Sequence, residues 1–148
     1  MKTSIIIQAR LGSKRLPNKV LKKINNESLI EHLLVRLNKN KNEKELLLCT
    51  TKRIADDHLI KICKKNKIKF FRGSNENVLK RLMNGIKKYQ HNIIVRITGD
   101  DILIDPDYMD IAIDHLIENN LDYVDHKNLP SGTETEIFDR ETLNLIYK

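Results

Sequence analysis

A short basic segment near the start of the chain carries the side chains best suited to chemistry. It spans residues 10–19, follows an apolar run at residues 5–7, and combines one glycine, Gly12, with four cations: Arg10, Lys14, Arg15 and Lys19. Arginine and lysine pair with phosphate oxygens, and a glycine lets main-chain N–H groups come close to a ligand. The basic segment is therefore suited to gripping a polyphosphate.

A second polar stretch supplies carboxylates that could complement these cations. It begins at Asp100 and Asp101, shortly after an apolar run that ends at Ile97. Mg²⁺ prefers oxygen ligands and is usually held by one or two carboxylates together with substrate phosphates. We therefore take Asp100 as the candidate metal ligand. The alternative is that Asp100 or Asp101 merely caps a turn. Asp105, directly before a proline, is typical of a helix cap.

Length and composition indicate one domain, residues 1–148, with 40% hydrophobic residues to build a core. No apolar run approaches the ~20 residues that span a bilayer, and residues 5–7 are too short for a signal-peptide core. We expect a cytoplasmic protein that does not bind membranes. Cys49 and Cys63 match no metal-ligand spacing, so buried free thiols are expected rather than a disulfide.

The net charge of +7 is open to three interpretations. It can reflect a solvated lysine-rich surface, attraction of a phosphate ligand, or binding of nucleic acid. The lysines are scattered over most polar faces, and aromatic residues make up only 5% of the chain with no cluster for stacking bases. We therefore expect no nucleic-acid partner.

The hydrophobic pattern predicts the elements that must position these side chains. Strands are predicted at residues 3–9, 45–51, 68–71 and 92–97, with a short fifth one at 122–124. Helices are predicted after the capping-box pattern at residues 28–31, at 55–66 and 75–90, from 106 to about 119, and after Asp139. Strands that alternate with helices of this length indicate a mostly parallel sheet covered on both faces. Ligands of such sheets bind beyond the carboxyl ends of the strands, so the basic segment and residues 72–74 and 98–105 should meet in one crevice.

The run Arg-x-x-Ser-x-Arg-Leu-Pro-x-Lys at residues 10–19 resembles the signature of the cytidylyltransferases that activate acidic sugars. Further blocks continue the resemblance in the same order, at residues 71–74 with 78–81 and at 95–100 with 103–106. The match is closest to the spore-coat polysaccharide type and covers nearly the whole chain. It implies a Rossmann-like, three-layer α/β/α nucleotidyltransferase fold of the GT-A-like kind. It also implies a reaction in which a sugar oxygen attacks the α-phosphorus of CTP and pyrophosphate leaves.

The resemblance implies a role for most residues of the basic segment and for two later loops. Residues implied to hold the triphosphate are Arg10, Ser13, Lys14, Arg15 and Lys19, of which Arg10, Arg15 and Lys19 would be catalytic. Further nucleotide contacts are implied for Gln8, Ala9, Leu11 and Gly12, and cytosine recognition for Gln8, Ala9, Arg72, Gly73 and Ser74. Asp100 would bind Mg²⁺. Glu136 would contact the acceptor sugar, although an exposed acidic hairpin explains this residue as well, and Arg96 fits an ion pair or a ligand contact.

The match departs from the family pattern in two places. Asn77 stands where related sequences more often have Asp, which puts a charge role there in doubt. The chain ends at Lys148 inside a predicted helix, whereas the family usually runs on for some dozens of residues, so we expect a C-terminally truncated domain. Two functions stay open: a Mg²⁺-dependent cytidylyltransferase that uses CTP and a sugar or sugar acid for surface-polysaccharide synthesis, or a non-catalytic nucleotide-binding module. The resemblance also implies a homodimer.

Overall fold

The computed structural model describes residues 2–13, 15–38 and 44–147. Its strands are β1 (Thr3–Gln8), β2 (Lys23–Ile24), β3 (Glu27–Ser28), β4 (Glu45–Thr51), β5 (Lys69–Gly73), β6 (Ile93–Thr98), β7 (Tyr123–Asp125) and β8 (Glu136–Asp139). Its α-helices are α1 (Leu29–Asn38), α2 (Asp57–Lys65), α3 (Val78–Tyr89), α4 (Pro106–Glu118) and α5 (Arg140–Tyr147). Two 3₁₀ turns, Lys19–Leu21 and Ile54–Asp56, lie at the ends of loops. The predicted α/β fold class is confirmed.

Six strands form one sheet in the order β5-β4-β1-β6-β8-β7. β1 pairs in parallel with β4 on one side and with β6 on the other, and β4 pairs in parallel with β5. β8 and β7 extend the β6 edge in antiparallel pairing. The carboxyl ends of four neighbouring strands therefore open on the same edge, with β1 and β6 side by side where the strand order reverses.

The apolar residues of β1 show why the sheet lies in the middle of the molecule. Ile5 and Ile7 belong to one core cluster, which includes side chains of α1, α2 and α4. Ile6 belongs to a second cluster, on the opposite face, with side chains of α3 and α5. A strand buried on both faces reads as a continuous apolar run, as residues 5–7 do. The layers are therefore three helices, the sheet and two helices.

Local signals in the sequence set the helix starts as predicted. Ser28 and Glu31 form a reciprocal capping box, because the Glu31 carboxylate accepts the Ser28 N–H at 3.1 Å and Ser28 Oγ accepts the Glu31 N–H at 3.4 Å. Asp105 Oδ1 accepts the Asp107 N–H at 2.9 Å and the Tyr108 N–H at 3.3 Å in the first turn of α4. Asp139 Oδ1 accepts the Thr142 N–H at 2.6 Å in the first turn of α5. Asn77 Oδ1 accepts the Lys80 N–H at 2.8 Å at the start of α3, so this position has a capping role that needs no charge.

Both cysteines are buried and free, as expected. Burial raises the pKa of the Cys49 thiol and of the Cys63 thiol to about 12, so both stay protonated and unreactive near neutral pH. Among the residues that the structure describes, no helix is long and apolar enough to cross a membrane.

Candidate functional site

The basic segment begins just after β1, and backbone hydrogen bonds at its start hold it in place. β1 ends at Gln8, one residue earlier than predicted, and the N–H of the buried Ala9 donates to the Cys49 carbonyl at 3.3 Å. The next buried residue, Leu11, donates its N–H to Asp56 Oδ1 at 2.8 Å. Arg10 between them is exposed. The segment therefore leaves the sheet with alternating anchored and exposed residues.

Asp56 is a positioning residue that sequence reasoning missed. The sequence places Asp56 only within the helix predicted at residues 55–66. In the structure its carboxylate is 1% exposed and accepts hydrogen bonds from Leu11, from the Thr51 N–H at 3.3 Å and from the Thr51 hydroxyl. A buried carboxylate with three donors ties the basic segment to the end of β4. Leu11 lies 45 residues from Asp56 in the sequence, so no local pattern could have revealed the tie to the basic segment.

The rest of the basic segment folds back on the carbonyl of Leu11. That carbonyl accepts the Ser13 N–H at 2.9 Å and the Asn18 N–H at 3.2 Å, and Asn18 has a left-handed backbone with φ of 55°. The chain then enters the 3₁₀ turn that begins at Lys19. Arg15 is exposed on the resulting loop, whereas Lys14 lies outside the described residues. The loop geometry thus leaves cationic side chains at the surface.

Lys19 of the basic segment forms an ion pair with Asp100 in the loop after β6. The two backbones also meet, because the Gly99 N–H donates to the Gln8 carbonyl at 2.9 Å. A Cβ on Gly99 would lie 2.8 Å from the Cβ of Ala9, so only glycine fits this contact. The sequence prediction that the basic segment and Asp100 lie close together is therefore borne out by the geometry.

The neighbouring carboxylate of Asp101 points into the loop. Its Oδ2 accepts the Thr98 N–H at 3.3 Å, which caps the turn after β6. Burial raises the pKa of Asp101, and the negative charge of Asp100 adds to the shift. Asp101 thus lies one residue from the candidate ligand but serves the backbone, as the capping interpretation predicts.

The family resemblance implies that Arg72 helps to recognise the cytosine base. In the structure its guanidinium is held by hydrogen bonds and an ion pair to protein groups. Its Nε donates to the Thr51 carbonyl at 3.0 Å, its Nη2 to the Arg53 carbonyl at 2.8 Å, and its Nη1 lies 2.7 Å from Asp57 Oδ1. These contacts fasten β5 to the loop after β4. Arg53 also lies beside Gly12, where a Cβ would be 3.0 Å from Nη1, so the network adjoins the basic segment.

Gly73 and Ser74 lie against Arg81, a fully buried arginine of α3. Arg81 Nη1 donates to the Ser74 carbonyl at 2.7 Å, and a Cβ on Gly73 would be 2.8 Å from Arg81 Cγ. Among the described residues, Arg81 Nε and Nη2 and Gln8 Oε1 are buried without hydrogen-bond partners. Burial lowers the pKa of the Arg81 guanidinium, and the charge of Arg10 lowers it further. Each buried polar atom without a partner needs an explanation, and a bound ligand or water that completes its hydrogen bonds is one.

Glu136 forms an ion pair with Arg96, its cross-strand partner between β8 and β6. The pair fulfils one of the two alternatives for Arg96. Both residues line an open cleft of about 330 Å³ that also includes Asp101 and, from the antiparallel edge, Tyr123, Asp125, His126, Glu134 and Thr135. The cleft therefore adjoins the loop that carries Asp100.

The donor set around Asp100 suits a metal that shares its coordination with a ligand. Within the described ranges, no group of three or more His, Cys, Asp or Glu side chains could hold a metal ion alone. Asp100 offers one carboxylate beside a basic segment, and Mg²⁺ in nucleotide sites is commonly held by one or two carboxylates plus phosphate oxygens. Asp100 therefore fits a metal–phosphate site rather than a closed protein cage.

Comparison with known proteins identifies the family. The cytidylyltransferase family model matches residues 4–148. An uncharacterised protein of Methanocaldococcus jannaschii is 40% identical over all 148 residues, which correspond to 61% of its length. The spore coat polysaccharide biosynthesis protein SpsF of Bacillus subtilis is 34% identical over 142 residues, 93% of this chain and 59% of the relative.

A solved structure agrees with these sequence matches. A cytidylyltransferase from Leptospira borgpetersenii superimposes with a TM-score of 0.92 at 33% identity, covering 99% of this chain and 64% of that one. The chain belongs to the cytidylyltransferase family, and it spans about 60% of the length of the curated relatives it matches.

Proposed function

We propose that this protein transfers CMP from CTP to a sugar or sugar acid, with release of pyrophosphate, in the synthesis of a surface polysaccharide. The observation that carries the proposal is the contact between Lys19 of the basic segment and Asp100 of the loop after β6. The contact joins cations suited to a triphosphate with a carboxylate suited to a metal, on the ligand-binding edge of a parallel sheet. Family membership supports CTP as the nucleotide.

The cations of the basic segment would stabilise the charge that develops during the reaction. Negative charge builds on the non-bridging oxygens and on the departing pyrophosphate when a sugar oxygen attacks the α-phosphorus. Arg10, Arg15 and Lys19 would pair with these oxygens, and Ser13 and Lys14 would add further contacts. Asp56 would keep the segment in place through Leu11, so that its donors need not reorganise when the charge appears.

Asp100 would hold Mg²⁺ together with phosphate oxygens of the nucleotide. When bound, the metal would polarise the phosphoryl oxygens and neutralise part of their charge. Asp101 stays a backbone cap in this assignment, because its carboxylate already serves the Thr98 N–H.

The nucleobase would lie toward the end of β1 and the turn at Gly73 and Ser74. Gln8 and Ala9, at the end of β1, would border this space. Arg72 would hold the turn in place by donating to the backbone of the loop after β4. The acceptor would enter the cleft lined by Glu136, whose carboxylate is oriented by Arg96. A homodimer and a cytoplasmic location are further parts of the proposal.

The direct test is pyrophosphate release from CTP, with and without Mg²⁺, in the presence of neutral sugars, amino sugars and sugar acids. We expect release that requires both Mg²⁺ and one class of acceptor. Turnover that persists in a metal chelator would contradict the role of Asp100. Calorimetric binding of CTP without turnover by any acceptor would instead identify a nucleotide-binding module.

A further inference from the structure

The contact between Lys19 and Asp100 places an ammonium group on the carboxylate that is the candidate metal ligand. Neither side chain is buried: Lys19 is 36% exposed and Asp100 is 23% exposed. Both are therefore within reach of a ligand that arrives from solvent. The adjacent carboxylate of Asp101 caps the turn after β6 and accepts a backbone N–H there.

An ammonium and a divalent cation compete for the same carboxylate. Asp100 Oδ2 is the atom that Lys19 contacts, and a metal that binds it while Lys19 stays would face an adjacent positive charge. Repulsion between charges at such short distances is strong wherever solvent does not fully screen it. A free metal ion must therefore displace Lys19 before it can bind Asp100 well.

Lys19 can move because only its side chain makes this contact. Its main chain is fixed in the 3₁₀ turn, where the Lys19 carbonyl accepts the Lys22 N–H at 3.0 Å. The flexible four-carbon stem of lysine lets the ammonium swing to another anion without moving that backbone. A triphosphate held by the exposed Arg10 and Arg15 would present such an anion close by.

We propose that Lys19 makes the site selective for a metal–triphosphate complex over the free metal ion. The triphosphate draws Lys19 away from Asp100 and so frees the carboxylate for the metal that the nucleotide carries. Metal and nucleotide are then positively coupled through one side chain, and the coupling is reciprocal. This inference rests on the proposed function, since it assumes that a nucleoside triphosphate binds at the basic segment.

The test measures metal binding and nucleotide binding separately. Mn²⁺ serves as the metal probe, and electron paramagnetic resonance counts free Mn²⁺ in titrations of the full chain without nucleotide. We compare the wild type with Lys19→Met, with the double variant Lys19→Met/Asp100→Asn, and with Lys22→Met. Lys22 is the matched control, because it is an exposed lysine three residues away that forms no ion pair among the described residues.

We expect Lys19→Met to bind Mn²⁺ about tenfold more tightly than the wild type, within the usual range of coupling between sites. The double variant should lose that gain, and Lys22→Met should behave as the wild type. Equal Mn²⁺ affinity of the wild type and Lys19→Met would overturn the inference, as would an equal gain in Lys22→Met. Lys19→Gln repeats the measurement with a polar side chain if Lys19→Met does not melt cooperatively.

Calorimetry with CTP in a metal chelator separates this inference from the proposed function. Lys19→Met should bind CTP about tenfold more weakly than the wild type, whereas Lys22→Met should not change. If the wild type binds CTP but Mn²⁺ affinity does not depend on Lys19, the inference fails and the proposed function stands. If the wild type binds no CTP with or without Mg²⁺, the proposed function fails as well.

Discussion

Clusters of charge lie at both ends of the parallel strands, one along the edge where the strands begin and one along the edge where they end. The two clusters are built differently. At the edge where the strands begin, Glu45 accepts His91 Nε2 at 2.6 Å, lies 3.5 Å from Lys2 Nζ, and pairs with Lys69. His91 there is completely buried. This edge gathers His91, Lys2 and Lys69 around a single carboxylate, so each of these three side chains has an anionic partner, although His91 Nδ1 is buried without a hydrogen-bond partner among the described residues.

At the edge where the parallel strands end, the charges are not balanced in this way. Lys19 pairs with Asp100, but Arg10 and Arg15 form no ion pair within the described residues. Cations left without protein partners are suited to a ligand that brings negative charge. The cluster whose cations share a carboxylate is therefore suited to stabilising the fold, whereas the cluster with unpaired cations is the candidate binding site.

The largest effect should follow from replacing Asp100 in the candidate binding site. Asp100→Asn should lower Mg²⁺-dependent pyrophosphate release at least about 100-fold, because the amide is a poor metal ligand and roughly 2.7 kcal/mol of transition-state stabilisation is lost. The fold should still melt cooperatively, since Asp100 is partly exposed. Asp107→Asn, an exposed aspartate at the start of α4, is the matched control and should keep full turnover. Unchanged activity of Asp100→Asn would refute the metal assignment.

The next effect belongs to the opposite edge. Glu45→Ala should lower the free energy of unfolding by about 2 kcal/mol, because it leaves the buried His91 donor without its partner. Denaturant titration measures this loss, and Glu141→Ala on the exposed side of α5 should change stability little. CTP affinity of the folded Glu45→Ala protein should match that of the wild type. A selective loss of CTP binding would mean that the two edges are not independent.

Arg15→Met should show the reverse pattern with a smaller energy. Loss of one charge-assisted contact should weaken CTP binding about tenfold, while cytidine binding and the free energy of unfolding stay the same. Arg15 is exposed, so its replacement leaves no buried group unpaired. Lys23→Met provides a nearby exposed control in β2. Equal losses for CTP and cytidine would point to a disturbed fold rather than a lost phosphate contact.

The smallest effect is a pH dependence of stability where the strands begin, around Glu45 and His91. Burial lowers the pKa of His91, against the opposing influence of Glu45, so the folded protein binds fewer protons at this site than the unfolded chain. Burial alone would raise the pKa of Glu45, but its hydrogen bonds from Lys69 and His91 outweigh burial and lower it. Both shifts give stability that is complete above the unfolded pKa of histidine, about 6.5. That stability is lost as the pH falls through the lower folded values.

The melting temperature should therefore fall by on the order of a few degrees between pH 7.5 and pH 5.5. His91→Gln keeps a donor toward Glu45 but removes the titrating ring, so its melting temperature should fall less over the same interval. Calorimetric scans of both proteins measure the difference. Parallel decreases would show that other groups govern the acid sensitivity.

The parts of the fold that local chemistry dictates could be predicted from the sequence. The apolar run at residues 5–7 indicated a strand buried on both faces, and the caps at Ser28, Asp105 and Asp139 marked helix starts to within a residue. The hairpin of β2 and β3, whose turn has positive φ at Asn25 and Asn26, was missed. Two-residue strands leave too short a pattern to recognise.

The sequence predicted which loops of the site lie close together, but not the side-chain contacts between residues that are distant in sequence. The position of Lys19 opposite Asp100 followed from the rule that parallel strands place their carboxyl ends on one edge. The role of Asp56, the ties of Arg72 to the loop after β4, and the burial of Arg81 depend on partners distant in sequence. Periodicity carries no information on such contacts, because they arise from how the elements pack.

The glycine at position 99 has a consequence for anyone who wishes to move this site to another scaffold. Because it has no side chain, Gly99 lies against Ala9, where the ends of β6 and β1 lead into the loops that carry Asp100 and Lys19. Gly99→Ala would force these two strand ends apart and so move the lysine away from the aspartate, although every side chain with a chemical role would be kept. A transplanted site would need this bare backbone as much as it needs the charged groups.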